Sequence, residues 1–347
     1  MLDLLMQYGL FLAKVVTVVI GILVVIVSIA NIGERRRHQK EEGSIEVTSL
    51  NDRYEDYEHG LREAVLDEAA LKAYGKELKK KAKLEKKEKA EDKAERKRVF
   101  VLKFQGDIAA SSVDYLRREI TAILTLADPA KDEIALVLES PGGMVHGYGL
   151  AASQLERIRQ KQIPLTICVD KVAASGGYMM ACIGNRILAA PFAIVGSIGV
   201  VAQIPNFHRL LEKHDVDVEV LTAGEYKRTL TVFGKNTEAG RQKFVEELED
   251  THLLFKDFVK DNRPALDIAK VATGEHWYGK RALDLGLVDA LMTSDQYLYE
   301  TSRGADVFAV RYVHKQKLAE RLGFAAEASV DRLLVKWWGR VQQKYFV

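Results

Sequence analysis

The sequence predicts an α/β domain preceded by a membrane-spanning helix and a helical stalk, and three observations carry this. A long, mostly apolar run opens the chain. A helical stripe and a densely charged run follow it. From Val99 onward, strand-like and helix-like segments alternate, the rhythm of a largely parallel sheet covered by helices. The resulting division is an anchor over 1–33, a stalk and charged linker over 34–98, a catalytic-type domain over 99–300 and a C-terminal extension over 301–347.

From Leu4 to Ile32 the only charge is Lys14, and Val15 to Ile32 carries none, a length that crosses a bilayer as one helix. A cleaved secretory signal is the competing reading, since Ser28-Ile29-Ala30 offers a small-x-small site. Asp3 without any preceding Lys or Arg, and the length of the run, favour the anchor. Arg35, Arg36, Arg37 and Lys40 follow the span directly and place the bulk of the chain on the cytoplasmic side by the positive-inside rule.

Between Ser49 and Leu78, apolar residues recur three or four apart, which predicts a helix with Ser49 as N-cap. From Lys79 to Arg98 the chain is nearly all Lys, Glu, Ala and Arg, which suits a solvated helix or linker. Across all 347 residues, 51 Lys and Arg face 49 Asp and Glu, so the net charge of +2 marks no nucleic-acid partner. The two cysteines, Cys168 and Cys182, sit in apolar surroundings without metal or disulfide spacing, and read as buried thiols.

In the domain, strands are expected near Val99–Phe104, Glu133–Leu138 and Pro164–Asp170, with helices near Ser112–Leu126 and Gly147–Arg159. Ligands of such sheets gather beyond the strand C-termini. Two unusual segments fall there. Glu139-Ser140-Pro141-Gly142-Gly143-Met144 follows one strand, and its paired glycines let backbone amides approach a ligand. Asp170-Lys171-Val172-Ala173-Ala174-Ser175-Gly176-Gly177-Tyr178 leads from the next strand into an apolar helix, and puts Ser175 where free amides favour negative charge. Read singly, the first is a common turn and the second a plain N-cap.

A serine nucleophile needs a base. His208 and His214 flank a short amphipathic helix, and His252 reads as a plain helix-surface residue. His276 stays open on local grounds. Lys227 follows a strand-like segment, Val216 to Leu221, and on local grounds is a lysine in a loop that could act only if desolvated.

Taken together, Ser140-Pro141-Gly142-Gly143, Ala174-Ser175-Gly176-Gly177-Tyr178, Gly196-Ser197-Ile198-Gly199 and Tyr226-Lys227 resemble the signal-peptide-peptidase A family, peptidase family S49, in order and spacing. The resemblance runs from about Val99 to Leu291 and includes Gly279 to Asp289. It implies a ClpP/crotonase-type domain of ββα units and a serine endopeptidase without cofactor or metal. It assigns Ser175 as nucleophile, Lys227 as general base, Ser197 as the group orienting Lys227, and Gly176 with Gly142 or Gly143 as oxyanion donors.

The implied partners are a peptide or protein substrate, the bilayer through residues 4–32, and further copies of the chain in a ring with sites shared between protomers. Substrates would be remnant signal peptides or unfolded and membrane proteins. The location implied is the bacterial cytoplasmic (inner) membrane, single-pass, but family members place their domain outside the cytoplasm whereas Arg35 to Arg37 point inside. A crotonase-like acyl-CoA enzyme and a non-catalytic oligomeric membrane scaffold are the alternatives. The C-terminal segment from Val330 to Val341 is amphipathic at helical spacing, and packing within the oligomer is its expected use.

Overall fold

The computed structural model describes residues 43–85 and 96–314. The expected anchor, the middle of the charged run and the amphipathic C-terminal segment lie outside the described residues. Among the described residues no helix is long and apolar enough to cross a membrane. The described chain falls almost wholly in one compact unit, 45–312.

Among the described residues, ten strands form two sheets. Strands β1 (Gly43–Ser49), β2 (Arg98–Gln105), β3 (Asp132–Glu139), β4 (Leu165–Val169), β6 (Arg186–Ala189), β9 (Ala290–Leu291) and β10 (Asp306–His314) make a seven-stranded sheet ordered β1-β10-β2-β3-β4-β6-β9. From β10 through β9 every pairing is parallel. The smaller sheet holds β5 (Val172–Ala174) parallel to β7 (Ile194–Gly196), with β8 (His276–Tyr278) antiparallel to β7.

The expected strands near 99–104, 133–138 and 164–170 are therefore β2, β3 and β4. Their largely apolar character follows from burial on both faces, as in central parallel strands, with Lys103 of β2 an exposed exception. In β2, Phe100, Leu102 and Phe104 enter one core cluster while Val99 and Val101 enter the other, the two-residue period of a strand.

Helices cover both faces. After α1 (Leu50–Val65) and α2 (Glu68–Glu85) come α3 (Val113–Leu124) and α4 (Val145–Gln160). Helix α4 buries Tyr148, Ala151, Ala152, Leu155 and Ile158, a stripe at helical spacing. Helix α5 (Gly176–Ala181) starts immediately after Ser175, and α6 (His208–Lys213) precedes α7 (Glu238–Asn262). Helices α8 (Ile268–Val271), α9 (Gly279–Asp284) and α10 (Ser294–Ser302) complete the unit. Strands β4 and β5 with α5 form a strand-strand-helix unit, and the whole is a mixed α/β fold.

Two expectations change. The stalk stripe is two helices, because Leu66 turns extended and Asp67 caps the second by accepting from the Ala70 amide at 2.8 Å. Ser49 does cap α1, accepting from Asp52 at 3.1 Å. Its neighbour Leu50 is buried with Val99, Val101 and Leu298 in the second core cluster. The segment Val216 to Leu221 is not a strand: it is exposed and irregular, without a paired neighbour among the described residues. Cys168 and Cys182 are buried thiols as read from the sequence, and burial pushes the Cys168 thiol up to about 12.

Candidate active site

The site lies where β3 and β5 end. Beyond β3, Ser140 leaves the large sheet and bridges Ala173 of β5 in parallel. The Ser140 amide donates to Val172 at 2.8 Å, and the Ala174 amide donates back to Ser140 at 3.0 Å. These two bonds hold the Pro141-Gly142-Gly143 turn beside the Ser175-Gly176 turn. Contact is so close that a Cβ on Gly142 would lie 2.7 Å from the Ala174 carbonyl and 2.8 Å from the Ser175 Cβ. Gly142 also has φ of +89°, a left-handed conformation that glycine alone adopts freely.

Ser175 has φ 53° and ψ −119°, a region costly for any residue with a side chain. Its amide donates to the Gly196 carbonyl at 2.8 Å, which draws the Gly196-Ser197 turn against it. Ser175 is half-buried and its side chain does not cap α5.

Ser175, Gly176 and Gly143 line one cavity of about 410 Å³. Val145, Tyr148, Ala152 and Met179 line it from α4 and α5, Val200 and Val201 from the segment after β7, and Leu254, Phe255 and Phe258 from α7. No carboxylate, lysine, arginine or histidine is among its lining residues. The cavity can therefore take an apolar group while Ser175 stands at its wall beside main-chain amides.

Within the Gly-Gly turn the two amides differ. The Gly142 amide donates to the Ser140 Oγ at 3.1 Å. The Gly143 residue lines the cavity, and a Cβ there would strike the Ile108 carbonyl at 2.2 Å.

Ser197, half-buried at φ 52°, is fixed by its amide donating to Glu275 at 2.6 Å. Lys227 is not brought into the cavity. It is exposed in the irregular stretch between α6 and α7, its amide donates to Gly224 at 3.2 Å, and its ammonium has no hydrogen bond or ion pair among the described residues. The structure thus assembles Ser175, Gly142, Gly143, Gly176 and Ser197, and leaves Lys227 apart.

One histidine differs from its reading. His252 is no plain surface residue: its Nε2 bonds the Ile198 carbonyl at 3.2 Å, which ties α7 to the turn after β7. His276 is exposed on β8 opposite Gly196, and His214 is exposed.

Sequence reasoning passed over Tyr148, whose buried ring lies against Gly176, and the wall supplied by α7. Tyr148 carried a signal, as an aromatic on the buried stripe of α4 one turn after the Gly-Gly pair.

A strand-end serine at a strained turn, amide-rich neighbours and an apolar cavity define a site suited to acyl chemistry, and sequence relatives define its class. The pattern of "Peptidase family S49 N-terminal" matches residues 3–155, and that of "Peptidase family S49" matches residues 157–308. The chain belongs to peptidase family S49, and its class is that of a protease. It is 50% identical over 96% of both chains to "Probable protease SohB" of Haemophilus influenzae. It is 45% identical to "Probable protease SohB" of Buchnera aphidicola from Acyrthosiphon pisum, over 96% of this chain and 98% of that one. Among solved structures, a mutant form of the "1510-N membrane-bound stomatin-specific protease" aligns at a TM-score of 0.39 and 15% identity over 59% of this chain and 84% of that one.

Proposed function

We propose that the chain is a membrane-anchored serine endopeptidase with a Ser/Lys dyad on a ClpP/crotonase-type domain. The observation that carries this is Ser175, held at a strained turn in the wall of an uncharged apolar cavity with Gly176 and Gly143 beside it. The Ser175 hydroxyl attacks a peptide carbonyl carbon while Lys227, neutral at that moment, takes its proton. The Gly176 and Gly143 amides hold the oxyanion; Gly142 donates to Ser140 and supports the turn instead. The lysine then protonates the leaving amine, and water hydrolyses the acyl-enzyme. Ser197 orients the lysine.

A lysine works as a base only where water is stripped from its ammonium, and Lys227 is exposed in one chain. We assign the covering surface to a second copy. The segment bearing Lys227 exposes Leu221 at 88%, with Val218, Tyr226 and Phe233, and Val201 after β7 is 90% exposed, an apolar set that association would bury. Residues 4–32 anchor the oligomer in the bacterial inner membrane, and the apolar cavity suits apolar side chains of remnant signal peptides or of unfolded and membrane proteins. The same exposure of Lys227 favours a second reading, a non-catalytic membrane scaffold.

One experiment separates these. Detergent-solubilised Ser175→Ala and Lys227→Ala proteins are assayed on an unfolded substrate alone and after co-assembly. The expected result is no cleavage by either alone and restored cleavage by mixed oligomers. Cleavage by either single variant rejects the dyad, no restoration rejects sharing between protomers, and inactivity of the native protein supports the scaffold.

A further inference from the structure

We infer that Tyr148 and Ser140 are positioning residues that fix the oxyanion-binding turn against the Ser175 turn, a role that rests on Ser175 being the nucleophile. Tyr148 touches both turns. Its ring packs on Gly176, where a Cβ would fall 2.3 Å from the Tyr148 Cγ and 2.7 Å from Cδ2. Its hydroxyl lies 2.6 Å from the Ser140 Oγ and donates to the Asp107 carbonyl at 2.8 Å.

The direction of this chain is forced. A phenol has one proton, and Asp107 takes it, so Ser140 must donate to the Tyr148 oxygen. With its own proton engaged, Ser140 presents lone pairs, and one accepts the Gly142 amide at 3.1 Å. Gly142 donates to Ser140, Ser140 to Tyr148, and Tyr148 to Asp107. All but the last link is buried, where such bonds are stiff and costly to break. Burial raises the Tyr148 hydroxyl above the ordinary tyrosine range, outweighing its bond to Ser140, so the proton stays in place at neutral pH.

Gly106 leaves the room this requires. A Cβ there would stand 2.3 Å from the Ser140 Oγ and 2.4 Å from the Tyr148 hydroxyl. The consequence for chemistry lies one residue on. Engaging the Gly142 amide fixes the Pro141–Gly142 peptide, the unit just before the one that carries the Gly143 amide, and so restrains the aim of that amide relative to Gly176. An oxyanion donor is effective only when already aimed at the charge that develops.

The test uses the full-length protein in detergent, with Tyr148→Phe, which keeps the ring on Gly176, and Ser140→Ala. Cleavage of a fluorogenic peptide gives kcat and KM, and a peptide boronate, whose boron becomes tetrahedral on adding the Ser175 Oγ and so carries an oxygen into the oxyanion site, reports oxyanion binding. The expected outcome is a kcat lower by about 10- to 100-fold with KM nearly unchanged, and boronate affinity falling in proportion. The double variant should be no worse than the poorer single, because the residues act as one chain. Native kcat in folded variants, or a rise confined to KM, overturns the inference; if Ser140→Ala fails to assemble, Tyr148→Phe decides alone. Fluorophosphonate labelling of Ser175 tests the parent reading separately: native labelling with unchanged kcat in the variants sinks this inference only, whereas unlabelled Ser175 in active native protein sinks the parent reading.

Discussion

Replacing Ser175 by glycine should stabilise the protein while abolishing its cleavage. At φ 53° and ψ −119°, Ser175 occupies a conformation that glycine reaches without its Cβ meeting the backbone. Strain of this kind costs about 1–3 kcal/mol for a residue with a side chain. Against this, glycine loses more chain entropy on folding, a cost of about 0.5–1 kcal/mol. The net expectation is a gain of about 1 kcal/mol, or roughly 2 °C in Tm for a unit of this size. Ser175→Ala is the control, since it keeps the Cβ and hence the strain. Thermal melts of the three purified proteins, at one detergent and protein concentration, give the comparison. A Ser175→Gly protein no more stable than Ser175→Ala would refute the claim that the site stores strain at this turn.

Three further outcomes test other parts of the structure. Tyr297→Phe removes a hydroxyl donor from buried Glu133, which also accepts from Thr166 at 2.7 Å; chemical denaturation should show a loss of about 1.5–3 kcal/mol, with cleavage per folded molecule unchanged. Although burial is the largest single influence on Asp289 and raises its pKa, Arg263 at 2.7 and 2.9 Å and the Ile187 amide at 2.7 Å outweigh it and leave the carboxyl below the usual range. That contribution is complete above the unfolded carboxylate pKa of about 4 and is lost as pH falls through the lower folded value, so Tm should fall in acid, and less steeply in Asp289→Asn. Ser153→Phe puts a ring at the cavity wall from an exposed position on α4, and should lower kcat/KM for a leucine-type substrate relative to an alanine-type one by about 10-fold in paired assays.

The sheet centre was legible because β2, β3 and β4 are buried on both faces and read as apolar runs bounded by glycine, proline or charge. Strands such as β9, with two residues, hold no period to read. The stalk stripe continued across Leu66 because apolar spacing survives a break, although Asp67 was itself a cap signal. The alternation of Val216, Val218 and Val220 satisfies the period of a strand. A strand also needs a partner for its amides and carbonyls, and that segment has none among the described residues. The catalytic-type turns were legible as motifs, yet which glycine amide is engaged depends on Ser140 and Tyr148, eight residues apart and joined only by the fold.

The candidate site therefore has two parts of different stability. The Ser175 and Gly143 turns grow from the ends of buried parallel strands, are stitched by the Ser140–Ala173 bridge and are pinned by a buried tyrosine. The proposed base rides on an exposed segment whose apolar residues face solvent in one chain. Rigid oxyanion geometry with a base supplied on assembly would confine hydrolysis to the oligomer, since local stability follows burial. Dilution should then lower kcat per chain before it lowers the melting of the sheet. Activity per chain that stays constant from the assembled to the monomeric range, followed by ultracentrifugation in the same detergent, would place the base within a single protomer.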